Sequence, residues 1–86
     1  MIVKVTQHHI DTGKAGNCRH CPIALAFFDL GFKSVYVGKS RITLSKILDA
    51  PSWDCIEYTA PELAIEFIDT FDSNLKVSPI EFELIN

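Results

Sequence analysis

At 86 residues and 9.6 kDa the chain has room for one domain, 1–86, and not for a second folded unit. Hydrophobic residues make up 48% and charged residues 22%, with apolar positions running from Ile2 to Ile85, which excludes disorder on compositional grounds. The longest wholly apolar run, 23–28, is far below the roughly 20 residues that span a bilayer, and the N-terminus alternates where a signal peptide would be continuously apolar, so no membrane association is expected. Three cysteines cannot all pair, which points to a reducing cytoplasm.

Residues 2–6 place β-branched side chains around an outward lysine and predict a strand. Thr6 then caps a helix of one or two turns over 7–11 that stops at Gly13. Residues 13–20 bring glycine, asparagine and basic side chains without periodicity, an exposed loop and the first place to look for function. Cys21-Pro22 opens a second helix, since proline suits the first helical position, and its nearly all-apolar sequence to Leu30 predicts burial before Gly31 ends it. Val35-Tyr36-Val37 and Arg41-Ile42-Thr43-Leu44, joined by Gly38-Lys39-Ser40, are the clearest hairpin in the chain. Pro51-Ser52 marks a turn, and 54–58 predict a further strand.

Thr59 is expected to cap the next helix, 60–72, with Glu62 three residues on returning a hydrogen bond. Leu63, Phe67, Ile68 and Phe71 recur at helical spacing and should be buried, leaving Glu62, Glu66 and Asp69 as a stripe on the opposite side. After the turn at Asp72-Ser73-Asn74, residues 80–85 alternate apolar and acidic, a half-exposed closing strand. This order has no repeated βαβ spacing. It predicts an α+β domain, with two main helices and one short helix over a small, mostly antiparallel sheet of four to five strands.

Among groups that carry chemistry, His8, His9, Cys18, His20 and Cys21 lie within fourteen residues, and thiolate plus imidazole suits tetrahedral zinc. One Cys-x-x-Cys supplies only half a structural site, so no metal is expected; Cys18, Cys21, His8 and His20 are the candidates should one bind. The simpler reading makes Cys21 a half-buried residue at the helix start and the histidines ordinary surface. A redox role would use the helix dipole to lower the cysteine pKa, but Pro22 opens the helix after the second cysteine, where a thioredoxin-like pair has it after the first. No nucleophile elbow or phosphate-binding glycine loop is present; a non-enzymatic protein without a cofactor is the expectation.

The net charge of -3 hides a division. Seven basic residues face two acids up to Lys46, and one base faces nine acids thereafter. In the first half Lys14, Arg19, Lys39 and Arg41, near the histidines and with Tyr36 as a stacking surface, form a candidate site for a phosphate-bearing ligand. In the second, Glu62, Glu66, Asp69 and Asp72, joined by Glu81 and Glu83, form an acidic face that resembles a row of phosphates to a basic groove. Net acidity argues against direct nucleic-acid binding.

Val5-Thr6-Gln7-His8-His9-Ile10-Asp11-x-Gly13, Cys18-x-x-Cys21-Pro22-Ile23-Ala24-Leu25-Ala26, Val35-Tyr36-Val37-Gly38, Glu66-Phe67-Ile68-Asp69-x-Phe71-Asp72 and Phe82-Glu83-Leu84 together resemble a family of small phage and prophage proteins. The resemblance covers nearly the whole length. It implies a small α+β protein made in the cytoplasm of a bacterial host. By analogy with short phage proteins that lack catalytic residues, it implies an inhibitor that binds and blocks a host defence complex, in the manner of anti-CRISPR proteins acting on a CRISPR effector subunit. The acidic residues would then contact the partner. The alternative is a binder that sequesters a nucleotide or other phosphate-bearing small ligand; a zinc- or redox-active Cys-x-x-Cys protein stands behind both. A monomer or weak homodimer is expected, because Glu81 and Glu83 oppose self-pairing of the last strand while Trp53 with Tyr58 offers an apolar anchor.

Overall fold

Alternation in the first strand, β1 (Ile2–Val5), turns Val3 and Val5 inward and leaves Ile2 and Lys4 outside. It pairs antiparallel with β5 (Ile80–Glu83), in which Phe82 points inward between Glu81 and Glu83. The computed structural model describes residues 1–85, and between these terminal strands lie α1 (Gln7–Thr12), α2 (Pro22–Asp29), β2 (Ser34–Val37), β3 (Arg41–Ser45), β4 (Ile56–Thr59) and α3 (Glu62–Asp72). The protein is a small α+β domain. Among the described residues five strands divide into two antiparallel sheets, β1–β5 and β2–β3–β4, where the sequence pattern suggested one. Periodicity records which side of a strand is buried but not which strand it bonds, so that division was not visible in the sequence.

The apolar helix α2 joins the two sheets. Phe27, fully buried, meets Phe82 of β5 at 6.5 Å and Phe32, just ahead of β2, at 6.0 Å, both edge-to-face. Val35 and Val37 of β2, Ile42 and Leu44 of β3, and Ala64, Phe67 and Ile68 of α3 complete the same core. Glycine matters at Gly13, where a side-chain carbon would stand 2.7 Å from the Pro22 ring; the end of α1 meets the start of α2 too closely for anything larger.

Two local expectations change. Thr59 is the last residue of β4, held opposite Arg41, and Pro61 occupies the N-cap of α3 with no side-chain hydrogen bond. Pairing in the sheet takes precedence over the capping-box pattern, so Thr59 does not cap and Glu62 has no cap to return to. The buried face of α3 is also rotated: Leu63 is 44% exposed and Ala64 buried, because Ala64, Phe67, Ile68 and the half-buried Phe71 make the continuous i, i+3, i+4, i+7 stripe.

Candidate functional site

Two groups of polar side chains have the geometry of a site. The first is formed by α1 and α2. His9 is buried, against the expectation that it would be a surface residue. Its Nδ1 accepts a hydrogen bond from the Thr6 backbone N–H at 2.9 Å, so the ring proton sits on Nε2, which donates to Asp29 Oδ2 at 2.5 Å. Thr6 Oγ1 lies 3.2 Å from the same Nδ1 and accepts from the His9 backbone N–H at 3.4 Å. A hydroxyl, an imidazole and a carboxylate in a row resemble a nucleophile, base and orienting acid. The lone pair a base would use is already filled by the Thr6 N–H, however. The arrangement is a capping box in which histidine replaces the usual glutamate or glutamine at the third position, and its far nitrogen ties α1 to the end of α2.

The second group lines an open cleft of about 590 Å³ between the outer face of β2–β3, the 13–21 loop and the 46–55 loop. Arg19, His20, Lys33, Tyr36, Thr43 and Asp49 contribute to its walls. Both loops are fixed by hydrogen bonds. Asn17 Oδ1 accepts from the backbone N–H of Arg19 at 3.0 Å and of His20 at 3.1 Å, the Lys14 N–H reaches the His20 carbonyl at 2.9 Å, and the Val37 N–H on the open edge of β2 reaches the Cys18 carbonyl at 2.8 Å. On the opposite wall, Ser34 Oγ donates to the Ile47 carbonyl at 2.8 Å and accepts from the Ala50 N–H at 3.2 Å, closing a turn in which Asp49 takes a left-handed φ of 54°. Ser45 Oγ accepts from the Ile47 N–H at 3.1 Å and reaches Asp54 Oδ2 at 3.3 Å. The cleft is therefore walled by pinned backbone.

Of the cations expected to gather at a phosphate, only Arg19 lies in this cleft. Arg41 is 3.7 Å from Glu57 on the neighbouring strand, Lys39 lines a smaller cleft with Cys18, Cys21 and Asp72, and Lys14 lines neither. His20 and Lys33 join Arg19 instead. Lys33 precedes β2 by one residue, and the only sequence signal for it is its place beside the alternating 34–37 run. Among the described residues neither Arg19 nor Lys33 has a carboxylate within 4.0 Å. By contrast Lys46 is engaged, donating to the Leu30 carbonyl at 3.0 Å and standing 4.2 Å over the Phe32 ring.

Glu62, Glu66 and Asp69 are exposed along one side of α3, but Asp72 accepts from the Gly16 N–H at 2.9 Å and so turns toward the 13–21 loop. Glu81 pairs loosely with Lys4 at 4.0 Å on the β1–β5 sheet.

The cysteine and histidine candidates do not converge. Cys21 is the N-cap of α2, its Sγ accepting from the Ala24 N–H at 3.5 Å; it is buried where half-burial was expected. Burial pushes its thiol up from 9.0 to about 11, outweighing the backbone hydrogen bonds of the helix terminus that favour the thiolate. Cys18 is half-buried, His8 is exposed, and His20 faces Phe28 at 6.5 Å in the cleft. Among the described residues no group of three or more His, Cys, Asp or Glu side chains is placed to hold a metal, and no helix is long and apolar enough to cross a membrane. No protein-family model, no curated protein and no solved structure matches the chain.

Proposed function

We propose that the protein is a non-enzymatic binding protein whose cleft takes a phosphate-bearing small ligand. The observation that carries this reading is the meeting of Arg19, His20 and Lys33 on one preformed cleft, with Arg19 and Lys33 unpaired by any carboxylate among the described residues. Cations on a concave, partly apolar wall are favourably placed for an anion, because field lines concentrate there and the backbone that carries Arg19 and His20 is fixed beforehand. The resemblance to small phage proteins suggests the setting: sequestration of a phosphate-bearing signal in the cytoplasm of a bacterial host. Calorimetric titration with pyrophosphate tests it. Binding that weakens about tenfold in Arg19→Ala and in Lys33→Ala, the scale of one charge-assisted hydrogen bond, is expected; unchanged binding in both variants contradicts it.

A second reading is inhibition of a host defence complex, such as a CRISPR effector subunit, by the acidic side of α3. It is favoured by exposed Leu63 and Ile65 interleaved with Glu62, Glu66 and Asp69, which would let one helix present both charge and apolar area to a basic groove. Asp72, exposed at the end of α3, extends the same side and also accepts from the Gly16 N–H. Co-purification with a purified effector subunit, lost on replacing the three carboxylates with amides, is the expected result; retained co-purification in the variant contradicts it.

A further inference from the structure

We infer that the ligand of the cleft is a nucleotide, with its base on the Tyr36 ring and its phosphate at Arg19, His20 and Lys33. The inference rests on the cleft reading above and specifies the half of the ligand that the cations do not touch. Three observations carry it.

The first is the state of Tyr36. Burial of Val35 and Val37 forces the residue between them to the outer face, where Tyr36 is 48% exposed and forms part of the cleft wall. Its partner across the β2–β3 ladder is Thr43, a small residue that leaves the ring uncovered. The ring edge lies beside the hairpin turn, where a side-chain carbon on Gly38 would stand 3.3 Å from Tyr36 Cε1. An uncovered aromatic beside cations is a stacking platform for a base, because every base has a π face.

The second is the sign of the far wall. Asp49 brings a carboxylate into a cleft otherwise supplied with cations, in a turn fixed by Ser34. For inorganic phosphate or a polyphosphate that carboxylate is purely repulsive. A nucleotide separates the two signs, with anionic oxygens at one end and the hydroxyl and N–H donors of sugar and base at the other, so it can use both walls where a bare phosphate cannot.

The third is size. A volume of about 590 Å³ is well beyond what a single phosphate fills and lies within the range of clefts that hold small organic ligands.

The test is calorimetry on the full chain with adenosine, guanosine and uridine monophosphates and their cyclic forms, against ribose 5-phosphate and pyrophosphate. Nucleotides should bind at least about tenfold more tightly than ribose 5-phosphate, the advantage of one base–aromatic stack. Tyr36→Ala should erase that advantage while leaving ribose 5-phosphate unchanged, and Tyr36→Phe should keep it. Asp49→Asn, which tolerates the left-handed backbone, should tighten pyrophosphate and weaken nucleotides. Equal affinity for nucleotides and ribose 5-phosphate overturns the nucleotide assignment and leaves a phosphate site standing. Absence of binding by every phosphate compound overturns both.

Discussion

The Thr6–His9–Asp29 group and the Arg19–His20–Lys33 group are both compact sets of functional side chains, yet they differ in one respect that decides their roles. In the first, the His9 ring meets internal partners at both nitrogens: Nδ1 accepts the Thr6 N–H and Nε2 donates a hydrogen bond to Asp29. In the second, the Asn17 side chain holds the backbone of Arg19 and His20 in position while the charged ends of Arg19 and Lys33 meet no carboxylate among the described residues. Reactive-looking geometry is thus consumed by structure at one place, and uncommitted charge is kept in reserve at the other. A side chain's type says less about function than whether its bonding capacity has already been satisfied.

The largest expected effect comes from breaking the satisfied group. His9→Ala removes a buried ring and leaves the Thr6 N–H and the Asp29 carboxylate without it, which should cost about 2–3 kcal/mol in chemical denaturation and leave ligand affinity per folded molecule unchanged. A loss of affinity without a loss of stability would reverse the two roles.

Cys21 provides a second internal commitment, one that reads out with pH. Its folded-state pKa is raised above the ordinary value, so the folded protein favours the neutral thiol. That contribution is complete below pH 9.0 and is lost as pH rises toward about 11. The stability gap between the parent protein and Cys21→Ala should narrow over that interval, and a gap that widens would contradict burial as the cause.

Arg41→Ala sharpens the comparison among cations. Because Arg41 already faces Glu57 across exposed strands, its loss should change both stability and ligand affinity by less than about 0.5 kcal/mol. A ligand effect as large as that of Arg19→Ala would show that the pairing with Glu57 is no commitment at all.

The smallest effect is expected on α3. Converting Glu62, Glu66 and Asp69 to amides should leave small-ligand binding unchanged and stability within about 0.5 kcal/mol, since all three are exposed. Such a variant separates the cleft from the protein-docking reading in a single preparation.

Most of the secondary structure was legible because local chemistry and burial agree. Thr6 caps α1, Pro22 opens α2, and 34–45 form a hairpin whose glycine-containing connection matches its turn. Legibility failed where one residue had two possible employments. Thr59 fits a cap and a strand end equally well in sequence, and sheet pairing claimed it. His9 does not look like a capping-box partner because the familiar pattern requires glutamate or glutamine, although an imidazole nitrogen accepts the same N–H. The cleft was less visible still. Arg19, His20 and Tyr36 carried the right chemistry in the sequence, but the first two reach β2 through the Cys18 carbonyl on Val37, and Asp49 arrives because two serines fold the 46–55 loop back beside that strand. No periodicity encodes that return.

Chemical-shift mapping of backbone amides during titration with a nucleoside monophosphate reports where a ligand sits without perturbing any side chain. Binding in the cleft predicts shifts at Arg19, His20, residues 33–36, Asp49 and Ala50, with α3 and the Thr6–His9–Asp29 group unmoved. Shifts confined to α3 or to the α1–α2 clamp, or none at saturating ligand, would contradict it.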